Sequence, residues 1–163
     1  MTGSLHQILY FCQHSTIVIM ENNYTFYHNT PIQVRFNDVD IMGHVNNSVY
    51  QNYFDYARLQ YFEQVFGYRM DWYDNALVLV KIEIEFQKPV EMYDQVQVWT
   101  KVYHLGNKSL RMEQHLTGED KEDVRCSNRA VLSGFSYPNG RSIELLDQWR
   151  KSITRYEKDL TFR

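Results

Sequence analysis

The sequence predicts an α+β domain in which one antiparallel sheet of about five strands curls around a long central helix, with a second helix at the C-terminal end. Three observations carry that reading. Ser48 to Phe66 spaces its apolar residues as a helix buried on most of its circumference. Four later segments alternate apolar and polar residues and are closed by Gly, Asn or Pro. Aromatic residues reach 15%, mostly 13 Tyr and 9 Phe, which suits strands with large inward side chains.

The elements follow in order. Pro31 to Phe36 reads as a strand with Ile32, Val34 and Phe36 on one face. A loop, Asn37 to Asn47, leads to the helix, where Tyr50, Tyr53, Ala57 and Tyr61 lie along one stripe and Phe54, Phe62 and Val65 widen it. Asn46 or Asn47 suits the N-cap and Gly67 the position just past the C-terminus. In Leu77 to Phe86, Val80, Ile82, Ile84 and Phe86 face one way and Lys81, Glu83 and Glu85 the other. Val96, Val98, Thr100 and Val102 make the next strand, Gly106-Asn107 turns it, and Leu110, Met112, Gln114 and Leu116 return. Val124 to Phe135 is the last long strand, ended by Pro138-Asn139-Gly140. Over residues 142–158, Ile143, Leu146, Trp149, Ile153 and Tyr156 fall at helical spacing.

Composition narrows the class. The chain has 163 residues, 44% hydrophobic and 23% charged, enough for one domain with its own core. Net charge is -3, and the 17 Lys and Arg are scattered, so a nucleic-acid footprint is absent. Cys12 and Cys126 are too far apart in sequence for a disulfide framework or zinc site, Cys126 reads as a buried thiol, and the reducing cytoplasm is the expected compartment. The apolar runs Ile8–Phe11 and Ile17–Met20 are interrupted and too short to span a bilayer, and they lack the flanks of a signal peptide. Residues 1–19 are read as a non-native or loose extension, with Met20 as the natural start and residues 20–163 as a single domain.

The chemistry concentrates between Arg35 and Arg58. Asp38, Asp40 and His44 lie on the loop just upstream of the helix. Backbone N–H groups at a helix N-terminus can hold a developing oxyanion while a nearby carboxylate directs attack on a carbonyl. The plain alternative for Asp40 is a loop carboxylate in an Asx-turn or a cap. Asp38 reads as shaping the loop. Metal ligation by Asp38, Asp40 and His44 lacks a further ligand at metal spacing. Asp55 and Arg58, three apart on the helix, should pair.

The run Arg35-Phe36-x-Asp38-x-Asp40-x-x-Gly43-His44-Val45-Asn46-Asn47-x-x-Tyr50-x-x-Tyr53-x-x-x-Ala57-Arg58 resembles the hotdog-fold acyl-CoA thioesterases, in particular the 4-hydroxybenzoyl-CoA thioesterase-like branch. The looser match runs from about Thr30 to Arg141, and His44-Val45-Asn46-Asn47 is also similar to the acyl-ACP thioesterases. The resemblance implies a hotdog fold and hydrolysis of an acyl-CoA to a free acid and CoA, with no cofactor. It implies Asp40 as the catalytic carboxylate, acting as general base or nucleophile, and a helix N-terminal amide near Asn47 polarising the carbonyl. His44 is carried over from relatives that share the His-Val-Asn-Asn form. Asp55 departs from the Glu of many relatives.

Tyr50 and Tyr53 are core residues first and candidates to line an acyl channel. Lys88, Lys108 and Arg111 are surface charges, one or two of which are candidates for the phosphates of coenzyme A. A sheet with one helix-covered face, apolar residues such as Trp99, Tyr103 and Val131 on the other, and an open edge should pair with a second copy. A homodimer or homotetramer with composite sites is therefore expected, with neither a membrane nor nucleic acid as partner. Two other functions stay open: an acyl-ACP thioesterase, and a non-catalytic acyl-binding module.

Overall fold

In the computed structural model, residues 25–162 other than Trp72 are described. The expected extension at 1–19 and the start at Met20 lie outside the described residues. The chain runs β1 (His28–Ile32), a single 3-10 turn (Phe36–Asp38), α1 (Asn47–Phe66), β2 (Asn75–Phe86), β3 (Val96–Leu105), β4 (Ser109–Thr117), β5 (Val124–Ser136), β6 (Arg141–Ser142), α2 (Asp147–Tyr156) and β7 (Thr161–Phe162). The five long strands lie in the order β1-β3-β4-β5-β2, every neighbour antiparallel. β6 adds to β5, and β7 pairs parallel to β3.

Because β1 and β2 form opposite edges, α1 carries the chain from one side of the sheet to the other. Twenty residues make about 30 Å of helix, enough to cross five strands spaced about 4.8 Å apart. This is the hotdog arrangement, with α1 as the filling. The C-terminal half of α1 packs Tyr61 and Phe62 over Leu77, Val102, Leu110, Met112 and Leu132, and α2 closes that end with Trp149 and Ile153. The N-terminal half packs Tyr50, Tyr53 and Phe54 over Val96, Val98, Leu116 and Cys126, together with Val45 and Val90 from the loops. Between these clusters, Gln114 donates from β4 to the Phe54 carbonyl of α1 at 2.9 Å and receives Asn128 Nδ2 at 2.9 Å. Buried polar groups need such partners, and these pin the helix to the sheet.

Three expectations shift. The alternation of buried residues runs from His28 through Thr30 and Ile32 to Val34, but pairing with β3 stops at Ile32, before the expected end at Phe36. Asp38 Oδ2 captures the Arg35 N–H at 2.9 Å and turns the chain into the 3-10 turn, so Phe36 is exposed. In β2 a bulge between Leu79 and Lys81 takes Val80 out of register and leaves it 59% exposed. Leu77 and Leu79 before the bulge, and Ile82 and Ile84 after it, thereby pack on the core.

The helix expected over 142–158 spans only Asp147–Tyr156. Its first residues are used instead by β6 and by backbone bonds from Ile143 to Gly134 and from Leu145 to Asn107. At its end, Glu157 is drawn away by the Tyr61 hydroxyl at 2.7 Å and the Val102 N–H at 3.1 Å. Next to it the buried Lys101 ammonium meets Asp159 at 2.5 Å. Cys126 is fully buried, and burial pushes its thiol up to about 12. Trp99, Tyr103 and Val131 are half-buried on the outer face.

Candidate active site

The loop before α1 is a small hairpin. Asp40 N–H donates to the His44 carbonyl at 2.9 Å, and Val39 bridges Val45. The turn Asp40–Gly43 closes through Gly43 N–H to the Asp40 carbonyl at 3.0 Å. Gly43 stands at φ 84°, a left-handed conformation that a side chain resists. Val45 N–H donates to Val90 O at 2.8 Å, and His44 bridges Glu91, so the segment after β2 straps the hairpin from outside.

Asp38 fastens the hairpin to the helix. Its carboxylate is buried and accepts from the Arg35 backbone and guanidinium and from the Tyr53 hydroxyl at 2.7 Å. Its carbonyl accepts the Asn46 N–H at 2.8 Å. Burial alone would raise the Asp38 carboxyl, but the hydrogen bonds from Arg35 and Tyr53 outweigh it and hold the group below the usual range. The Tyr53 phenol is raised by burial and by that same carboxylate.

The helix begins cleanly. Asn46 is the N-cap, its Oδ1 accepting the Ser48 N–H at 3.0 Å. Its carbonyl takes the Val49 N–H at 2.8 Å. The Asn47 N–H, at the first helical position, has no acceptor among the described residues. At the other end Gly67, at φ 77°, returns its N–H to Glu63 O.

Asp40 is half-buried two residues before Met42, whose N–H donates to Asp40 Oδ1 at 2.8 Å. The Asx-turn considered from sequence is therefore present, and it occupies one oxygen. Oδ2 has no partner among the described residues. His44, also half-buried, stands across the hairpin from Asp40 and two residues before the N-cap. The structure thus brings Asp40, His44 and Asn47 to one end of α1.

Tyr50 and Tyr53 face the other way, into the core. Tyr50 packs edge-on to Phe86 with centroids 5.1 Å apart. Both rings back the loop from inside. Lys88 is paired with Asp123 at 2.6 Å. The Tyr53–Asp38 bond and the Val90 strap escape sequence reading; the only hints are a Tyr on the helix stripe and a Pro-Val dipeptide after β2. Among the described residues no group of three His, Cys, Asp or Glu is placed to hold a metal ion.

A model of the thioesterase-like superfamily matches residues 34–152, and the chain belongs to that family. Its class is thioester hydrolase. Over 130 residues it is 29% identical to the long-chain acyl-CoA thioesterase FadM of Escherichia coli, covering 79% of this chain and 98% of that one. A thioesterase of Thermus thermophilus solved with coenzyme A and zinc superposes with TM-score 0.71 at 30% identity, over 82% of this chain and 96% of that one. The Pseudomonas aeruginosa protein PA5185, at 24% identity and TM-score 0.74 over 83% and 95%, shares the fold.

Proposed function

We propose that this protein hydrolyses acyl-CoA thioesters to a free carboxylic acid and CoA, with Asp40 as the catalytic carboxylate. One observation carries the reading: a half-buried carboxylate keeps one oxygen at the end of α1 that has no partner among the described residues, where the Asn47 N–H likewise has none among them. In this reading the thioester carbonyl accepts from Asn47 N–H, and the positive end of the helix stabilises the oxyanion. Acting as general base, Asp40 takes a proton from water as the water oxygen attacks the carbonyl carbon. The C–S bond then breaks, and the CoA thiolate leaves and is protonated. Acting as nucleophile, Asp40 expels the thiolate itself and forms an anhydride that water opens. His44 orients the water or the carbonyl across the hairpin, and Tyr50 and Tyr53 form the wall behind the loop.

FadM and the CoA-bound Thermus protein support acyl-CoA as the substrate class. The edge of β2, which pairs with no further strand among the described residues, and the exposed Val80 support a homodimer or larger assembly whose site is completed by a second copy. The buried thiol fits a reducing compartment such as the cytoplasm, and no described helix is long and apolar enough to cross a membrane.

The test is release of free thiol from a panel of straight-chain, branched and aryl acyl-CoAs, run beside the same acyl groups on acyl carrier protein. The reading expects turnover with CoA substrates exceeding that with the carrier protein. Silence across the whole panel would overturn hydrolysis in favour of a non-catalytic acyl-binding module.

A further inference from the structure

A segment that joins two strands must find partners for its backbone groups outside the sheet ladder. Residues 87–95, between β2 and β3, are such a segment. They supply the Val90 carbonyl that receives the Val45 N–H, and the Glu91 backbone that bridges His44. The same segment is gripped by Arg125, at the start of β5. The Arg125 carbonyl accepts the N–H groups of Gln87 at 2.9 Å and Lys88 at 3.0 Å. Its guanidinium Nη1 donates to the Pro89 carbonyl at 2.8 Å and reaches Asp94 Oδ2 at 3.5 Å. Nε donates to Asp123 Oδ2 at 2.7 Å. A lysine ammonium is a point charge on a flexible stem, whereas the planar guanidinium spreads its donors over separate acceptors at once.

From Arg125 two short paths lead to the hairpin before α1. One passes from the Pro89 carbonyl through Val90, whose carbonyl holds Val45, the residue before the N-cap. The other passes through Asp94, whose Oδ2 also accepts the Glu91 N–H at 3.0 Å, and ends at His44. The base of the clamp is firm, because the neighbouring Cys126 packs in the same buried cluster as Tyr50 and Val90. The His44 carbonyl receives the Asp40 N–H, so a shift of residues 89–91 moves one wall of the hairpin against the other. Among the described residues Arg125 makes no hydrogen bond to Asp40 or His44, so its influence on them is indirect.

Resting on the hydrolytic reading above, we infer that Arg125 is a positioning residue for that reaction: by gripping the Pro89 carbonyl and Asp94 it sets where His44 stands against Asp40. Small displacements of this kind are expensive, since a reacting group misplaced by about 1 Å can cost about a hundredfold in rate.

The test is a double-mutant cycle on thiol release, joined to amide hydrogen exchange followed by NMR. Arg125→Met should lower kcat by about tenfold or more while KM stays within about twofold. In a His44→Ala background the same change should cost about twofold at most, because the group it positions is already gone. The Val45 amide should exchange about tenfold faster in Arg125→Met, with the amides of β4 unchanged. Arg125→Lys should recover part of both effects. Arg129→Gln, which breaks an ion pair with Glu113 further along β5, should move neither. Unchanged kcat, losses that multiply across the cycle, or an equal loss in Arg129→Gln would overturn the inference. A wild type that releases no thiol refutes hydrolysis instead, and Val45 exchange then decides whether the clamp on the hairpin stands. Should Arg125→Met not fold, the cycle of Arg125→Lys with His44→Ala decides.

Discussion

The Tyr53 hydroxyl donates to the buried carboxylate of Asp38 at 2.7 Å and so ties the second turn of α1 to the hairpin that carries Asp40. Because the Asp38 carbonyl also receives the N–H of the N-cap Asn46, Asp38 joins the hairpin that carries Asp40 to the start of the helix by both side chain and backbone. Tyr53→Phe should therefore cost about 1–3 kcal/mol of stability, since it leaves a buried charged acceptor short of one donor. In urea melts the midpoint should fall with the slope unchanged. Turnover should drop more than KM rises, because the displaced hairpin carries the carboxylate assigned to the chemistry.

The same carboxylate sets an acid limit. Asp38 is held below its unfolded value, so the stability it contributes is fully present above that value, about 4, and is lost as pH falls through the folded one. Thermal melts between pH 6 and pH 3 should show a decline that is shallower in Asp38→Asn, although the variant starts from a lower plateau. Parallel curves for the two proteins would contradict the assignment.

Much of this architecture is legible in the sequence because the physics that sets it is local. Asn46 and Gly67 bound α1 by capping chemistry, and Val96, Val98, Val102, Leu110, Met112 and Leu116 recur at period two, so the face turned to the helix follows from period, whereas the burial of Lys101 and Glu113 between them does not. What is not legible depends on long-range partners. No local signal places a bulge at Val80, which decides whether odd or even residues of β2 face the helix. The end of α2 is set by Tyr61, 96 positions from Glu157. In the site, the hairpin and its residues are readable from the Arg35–Arg58 run, whereas the Val90 strap and the burial of Arg58 arise only when β2 and α1 close on each other.

Cys126 offers a control on the core. With its thiol fully buried and raised to about 12, it should not react with a disulfide reagent at pH 8 in the folded Cys12→Ser variant. One equivalent should appear on addition of denaturant. Rapid labelling of the folded variant would show that the sheet beneath Tyr50 opens.

Val80 tests the assembly. It is an exposed apolar residue on β2, an edge strand among the described residues, where Lys is a usual deterrent to pairing. Sedimentation should find the wild type as a dimer or larger, and Val80→Lys should shift it toward monomer with loss of activity. A fully active monomeric wild type would refute composite sites.

The central claim is that Asp40 performs the chemistry and does more than close an Asx-turn. Asp40→Asn retains the oxygen that accepts from Met42 N–H and removes the charge. With the best acyl-CoA of the panel, kcat/KM for thiol release should fall by about a hundredfold or more while the melting temperature stays close to wild type. A variant that releases CoA at nearly the wild-type rate would contradict it.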